Sequence, residues 1–118
     1  MNKNERDLHL LKCMYDYCLK IEKTINRFGK DIRIFINDTD YQDSIGMNIL
    51  QIGELSGRLS ESFILSTRDE MDWRAITGMR NMFAHNYNAM DIDRIWETAI
   101  ADIPMLKEFL TNTIKTTF

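Results

Sequence analysis

The stretch WRAITGMRNMFAHNY, residues 73–87, combines a helical apolar pattern with the only cluster of groups in the sequence that is suited to chemistry. Its large apolar residues recur at spacings of three, three and four, which is the period of one buried helix face. These residues are Trp73, Ile76, Met79 and Phe83. The stretch therefore predicts a helix that is buried along one side.

Four polar residues, Arg80, Asn81, His85 and Tyr87, occupy the other flanks of this predicted helix. At about 100° per residue, Arg80 and His85 lie about 140° apart, so one ideal helix does not direct both at one small ligand. We expect them to converge if Arg80 reaches along the surface, if the helix ends near His85, or if a second copy of the chain completes the site.

The segment on the N-terminal side predicts a long first helix that ends near Gly29. Either Asn2 or Asn4 is suited to cap its start, and Gly29 is suited to end it. Its apolar residues repeat at spacings of three and four, as expected for one buried face. They are Leu8, Leu11, Met14, Cys18, Ile21, Ile25 and Phe28.

A second long helix is predicted over Tyr41–Leu65, with three glycines inside it. Each glycine costs about 1 kcal/mol in a helix interior, so Gly46, Gly53 and Gly57 indicate a close approach to a neighbouring helix, or else a kink. Residues 31–37 fit either a strand or a short helix, and the short helix is preferred because a lone strand is unstable.

The C-terminal third predicts one more long helix. Asp72 is placed to cap the helix that starts at Trp73, and Asp91 is placed to cap the last helix. Pro104 lies inside the last helix and should bend it, because proline removes one backbone hydrogen bond. Residues 111–118 are expected to fray.

These patterns predict an all-α fold, an up-and-down bundle of four main helices plus one short helix, in a single domain over residues 1–118. The formal net charge of −3 argues against broad coating of nucleic acid, although a small local RNA site remains open. The sequence shows no signal peptide and no apolar run long enough to span a membrane, which predicts a cytoplasmic protein.

The cysteines and the second histidine carry no sign of chemistry. Cys13 and Cys18 are five residues apart, which matches neither a disulfide framework nor a zinc site, so both are expected to be reduced. His9 is interpreted as a surface residue. With two distant histidines and no paired Glu-x-x-His, the sequence predicts no metal and no cofactor, and it disfavours a metal-binding four-helix dimer.

From the residues alone, a structural role for the polar cluster is favoured. Arg80 would then form an ion pair at the helix surface, with Glu54 or Asp91, and His85 would lie near a helix C-terminus, where the helix dipole favours a cation. Tyr87 would pack its ring under the following loop.

Residues 80–87 have the form R-N-x-x-x-H-x-Y, and this resembles the motif of HEPN (higher eukaryotes and prokaryotes nucleotide-binding) domains, in particular the HepT-like branch. The family motif has an Arg, usually a polar residue after it, and a His four to six residues beyond the Arg. In the HepT-like branch a Tyr follows two residues after the His. Further stretches are similar to the family's pattern: Trp73 with residues 76–79, residues 51–54, and Asp91 with Trp96.

The resemblance implies a HEPN-like bundle that acts as the toxin of a type II toxin–antitoxin pair. It implies a metal-independent ribonuclease and a homodimer in which two motifs meet, with Arg80, Asn81 and His85 as catalytic residues. It also implies an MntA-like nucleotidyltransferase antitoxin as partner, which transfers AMP from ATP to Tyr87. Glu54, beside Gly53 in the preceding helix, is a candidate supporting residue.

The chemistry of these side chains is compatible with RNA cleavage. The 2′-hydroxyl of RNA is an internal nucleophile, an imidazole with a pKa near ~6.5 exchanges a proton at neutral pH, and a guanidinium holds a phosphate through two parallel hydrogen bonds. The alternative function is a non-catalytic HEPN-type subunit that binds a nucleotide or docks a nucleotidyltransferase. The intact Arg80/His85 pair favours the enzyme, and the acidic net charge mildly favours the docking subunit.

Overall fold

The computed structural model describes residues 2–83 and 89–117, with only the backbone at positions 83, 89, 90 and 117, and every regular element in these ranges is helical. The elements are α1 (Lys3–Phe28), α2 (Ile32–Phe35), α3 (Thr39–Ser56), α4 (Glu61–Ser66), α5 (Trp73–Gly78), a 3₁₀ helix (Met79–Phe83), α6 (Ala89–Glu97), a π-helical turn (Thr98–Asp102) and α7 (Ile103–Thr117). The predicted all-α bundle is confirmed.

The first helix matches its sequence pattern closely. The Asn2 side chain caps α1 by accepting a hydrogen bond of 2.8 Å from the Glu5 N–H, and Gly29 ends it with a φ of 113°, which glycine adopts without strain. The middle of the predicted stripe is fully buried: Leu11, Met14, Cys18 and Ile21. This face of α1 packs against α3 and α7.

The ambiguous segment 31–37 forms the short helix α2, so the preference for a helix over a strand is confirmed. Its one buried side chain, Phe35, meets the Tyr41 ring edge-on at a centroid distance of 4.9 Å and lies 5.0 Å from the Trp96 ring. Aromatic contacts of this geometry anchor α2 across α3 and α6.

The single helix predicted over Tyr41–Leu65 is wrong, because α3 ends at a C-cap on Gly57 and α4 begins four residues after it, at Glu61. The Oγ atom of Ser60 caps α4 by accepting a hydrogen bond of 3.2 Å from the Phe63 N–H. Ser60 in turn donates its own N–H, at 2.9 Å, to the carboxylate of Asp7, which is buried on α1. A contact with a distant helix therefore fixes this break.

The stretch predicted as one helix over Trp73–Tyr87 is helical as far as it is described, to Phe83, and residues 84–87 lie outside the described residues. Asp72 caps α5, as expected, by accepting a hydrogen bond of 3.1 Å from the Ala75 N–H. From Met79 the chain tightens into the 3₁₀ helix, which has about three residues per turn, so angles calculated for an ideal α-helix do not apply to Arg80. The expected apolar face is buried at Trp73, Ile76 and Met79.

The last helical segment is irregular ahead of Pro104, where the sequence predicts a disturbance. The N–H of Ile103 donates to the carbonyl of Thr98, five residues earlier, which defines the π-helical turn. Two expectations here are wrong. Asp91 lies inside the first turn of α6 and not at its cap, and residues 111–117 continue α7, because this end also packs on the core through side chains such as Thr113.

The buried side chains of the described residues form one core between these helices. Cys18 lies in this core, and burial raises the pKa of its thiol to about 12. Cys13 and Cys18 are both free thiols, as predicted. Among the helices described, none has the length and apolar character needed to cross a membrane.

Candidate nucleic-acid interface

A cleft of about 510 Å³ opens where the end of α3 meets α4, α5 and the 3₁₀ helix. Its described lining includes two arginines, an amide and two hydroxyls, and it includes no carboxylate. These polar residues are Ser56, Arg74, Thr77, Arg80 and Asn81. The cleft therefore offers positive charge and hydrogen-bond donors, which suits an anion such as a phosphate.

Gly53 lets the backbone of Arg80 approach α3 closely. A Cβ atom placed on Gly53 would lie 2.7 Å from the main-chain nitrogen of Arg80 and 3.2 Å from its Cβ. Any side chain at position 53 would push the 3₁₀ helix away from α3, since the interior has no slack to absorb it. The close approach that the glycines predict is confirmed at this position.

A pair of hydroxyl groups fixes the wall of the cleft below Arg80. Ser56 is buried, its Oγ donates to the Gly53 carbonyl at 2.8 Å, and it lies 2.9 Å from the Oγ1 atom of Thr77. Because a hydroxyl has one proton, Thr77 is the donor to Ser56. The pair ties α5 to α3 beside the point where Gly53 meets the 3₁₀ helix.

The guanidinium of Arg80 lies over Gly57, where an added Cβ would be 3.6 Å from its Nη1 atom. The Arg80 side chain is exposed, and none of the residues in 2–83 and 89–117 forms an ion pair or hydrogen bond with its guanidinium. The ion pair with Glu54 that the sequence leaves open does not form. Glu54 is exposed on α3 and does not line the cleft.

The structure brings together two of the predicted catalytic residues. Asn81 follows Arg80 on the wall of the same cleft and is exposed. His85 and Tyr87 lie outside the described residues, so their convergence with Arg80 stays a prediction.

Sequence reasoning missed Arg74, which lines the cleft with Arg80. A signal for it exists, because residues three apart on a helix share a flank, and Arg74, Thr77 and Arg80 follow each other at that spacing. This series of polar residues lies one position along the chain from the buried series that begins with Trp73 and Ile76. The sequence does not reveal that α3 closes the other side of the cleft.

A second, larger groove of about 680 Å³ lies on the other side of α5 and carries the opposite charge. Four carboxylates line it, together with methionines and a single arginine, Arg94. The carboxylates are those of Glu70, Asp72, Glu97 and Asp102. The described linings of the two cavities therefore differ in charge, with two arginines in the first cleft and four carboxylates with one arginine in this groove.

The remaining titratable residues form no second cluster among the described residues. No group of three or more His, Cys, Asp or Glu side chains in 2–83 and 89–117 is arranged to hold a metal ion. His9 is exposed on α1, as predicted, with its Nε2 atom 3.6 Å from the Cys13 sulfur.

The fold and the cleft together describe a small helical protein with a cleft lined by two arginines and, among the described residues, no carboxylate. The family described as "Ribonuclease HepT-like" matches residues 14–113, which span most of the bundle and the whole cleft. The chain belongs to this family, which is part of the HEPN superfamily. The resemblance seen in the motif is therefore confirmed at the level of the family.

Individual relatives agree with this assignment. The chain is 32% identical over 85 residues to "Probable ribonuclease HepT" of Thermococcus cleftensis, which covers 70% of this chain and 76% of the relative. Two proteins of Methanocaldococcus jannaschii, each named "Putative RNase", are 25% identical over 89 residues and 28% identical over 94. These matches cover 68% and 72% of this chain, and 81% and 80% of the relatives. No solved structure gives a significant match.

Proposed function

We propose that this protein is an endoribonuclease toxin that cuts RNA without a metal ion. The observation that carries the proposal is the Arg80 guanidinium, exposed beside Asn81 in a cleft whose described lining has no carboxylate. A guanidinium that no described residue engages is ready to bind a phosphodiester. Membership of the HepT-like ribonuclease family supports RNA as the substrate.

In the proposed reaction the 2′-hydroxyl oxygen attacks the neighbouring phosphorus, and the bond from phosphorus to the 5′ oxygen breaks. His85 exchanges a proton with these two oxygens, and Arg80 stabilises the negative charge that grows on the phosphate in the transition state. Asn81 orients His85 or binds the same phosphate. The products carry a 2′,3′-cyclic phosphate and a 5′-hydroxyl.

Control by AMP transfer to Tyr87 is part of the same proposal. The phenol oxygen attacks the α-phosphorus of ATP, the bond to the pyrophosphate breaks, and Tyr87 then carries an anionic phosphodiester. This charge would pair with Arg80 and repel RNA. The enzyme for this step would be an MntA-like nucleotidyltransferase antitoxin, which makes the two proteins a type II toxin–antitoxin pair in the cytoplasm.

Growth of cells that express the protein tests the ribonuclease proposal. Wild type should arrest growth and fragment total RNA, whereas His85→Ala should do neither, because the proton carrier is lost. His9→Ala is the matched control, since this histidine is exposed on α1 and lies outside the cleft. It should be as toxic as wild type.

The chemistry of the RNA ends makes the test sharper. The fragments should end in 2′,3′-cyclic phosphates, and 3′-hydroxyl ends would contradict the mechanism. If wild type and His85→Ala are both folded and neither arrests growth, the result favours the alternative function. In that case the protein is a non-catalytic subunit that docks a nucleotidyltransferase.

A further inference from the structure

We propose that the cleft beside Arg80 binds the backbone of single-stranded RNA over several nucleotides, with Arg74 holding a second phosphate about three nucleotides from the one at Arg80. The inference rests on the ribonuclease function proposed above and extends that site beyond the R-N-x-x-x-H-x-Y motif. It makes Arg74 an RNA-binding residue that the motif does not contain.

The spacing of the two arginines suits two phosphates of one strand. Arg74 and Arg80 line the same cleft and are six residues apart. With a helical rise of 1.5 to 2 Å per residue, their backbones are about 10 Å apart, which is the rise of about three stacked nucleotides. Each guanidinium can therefore engage its own phosphate, with the wall formed by Thr77 between them.

The guanidinium of Arg74 is available for a phosphate. It is exposed, and no described residue pairs with it, although it also borders a second cavity of about 480 Å³, whose charged lining includes Arg68, Asp69, Glu70 and Asp72. The Asp72 carboxylate instead accepts the Ala75 N–H as the cap of α5. Because no described side chain engages this guanidinium, it can pair with a phosphate in the cleft without first breaking a described ion pair.

The surrounding charges confine a strand of RNA to this side of α5. The chain has a net charge of −3, and the groove on the far side of α5 is lined by four carboxylates and one arginine. In such a field a polyanion gains most where two arginines stand without a carboxylate between them. This reconciles an acidic protein with an RNA substrate.

Binding of a labelled single-stranded oligoribonucleotide of about 12 nucleotides, followed by fluorescence anisotropy, tests the proposal. The His85→Ala protein serves as the parent, so that the RNA is not cut. Adding Arg74→Ala should weaken binding roughly tenfold at low salt and reduce the slope of log K against log [salt] by about 0.7, because one phosphate contact is lost.

Arg94→Ala in the same parent is the matched control, because it removes the same charge on the far side of α5 and should leave the affinity nearly unchanged. Equal losses for Arg74→Ala and Arg94→Ala, no loss for Arg74→Ala, or no binding by the parent would each overturn the proposal. Cleavage by wild type is scored separately on a gel. If wild type cuts no RNA but the parent still binds through Arg74, only the ribonuclease proposal fails.

Discussion

Gly53 determines how closely the backbone of Arg80 approaches α3. The main-chain nitrogen of Arg80 is so near α3 that a methyl group on Gly53 would lie 2.7 Å from it. The other glycines of this region are less constrained. An added Cβ at Gly57 would make only ordinary contacts of 3.5 Å or more, and at Gly78 it would meet nothing within 4 Å. Position 53 alone among these three requires glycine.

We expect Gly53→Ala to reduce RNA cleavage by roughly tenfold to a hundredfold, because the methyl group must displace the Arg80 backbone and misplace its guanidinium. The free energy of unfolding should fall by about 1–2 kcal/mol, since overpacking exceeds the gain in helix propensity. Cleavage of a labelled RNA should be measured where urea denaturation shows the variant to be fully folded.

Gly78→Ala is the control for this variant, because it adds the same methyl group to the neighbouring helix in open space. It should cleave RNA at close to the wild-type rate. Equal rates for the two variants would show that the contact at Gly53 does not position Arg80.

The sequence identifies Arg80 and Asn81 as site residues because they stand in one motif. It does not identify Arg74, Ser56 or Thr77 in the same way. The buried hydroxyl pair of Ser56 and Thr77 joins two helices, so its role depends on packing between segments 21 residues apart. Local spacing carries no information about such a partner.

At the scale of elements, apolar periodicity predicts which segments are helical but not where two helices divide. The break between α3 and α4 depends on Asp7, 53 residues before Ser60, whose carboxylate accepts both the Ser60 N–H and its Oγ–H. The apolar series of the sequence continues across this break to Phe63. A pattern along the chain could therefore not reveal it.

We expect Asp7→Ala to lower the free energy of unfolding by about 2–3 kcal/mol, because the buried Ser60 N–H loses the carboxylate that accepts its hydrogen bond. Asp16→Ala, an exposed carboxylate on the same helix, should change it by less than about 0.5 kcal/mol. Urea denaturation measures both values. Similar stabilities for the two variants would mean that Asp7 does not hold α4 in place.

At the scale of the whole molecule, α5 and the 3₁₀ helix separate two surfaces of opposite charge. One is the cleft with Arg74 and Arg80, and the other is the groove lined by Glu97, Asp102 and two further carboxylates. The net charge of −3 sums over the whole chain, so it does not reveal the positive charge of the cleft. Composition therefore argues against nucleic acid more strongly than the folded surface does.

The proposed homodimer predicts that two inactive variants restore activity when mixed. If each site takes Arg80 from one copy and His85 from the other, a mixed dimer of Arg80→Ala and His85→Ala contains one intact site. Random exchange makes half of the dimers mixed, each with one of two sites intact, so about a quarter of the wild-type cleavage rate should return.

Each variant alone, taken through the same exchange, is the control and should stay inactive, because none of its sites contains both groups. Size-exclusion chromatography with light scattering should show that the mixture is dimeric. If the mixture is dimeric and cuts no RNA, Arg80 and His85 act within a single chain. In that case the chain beyond Phe83 must return His85 to the cleft that Arg80 and Asn81 line, and the second copy is not needed to complete the site.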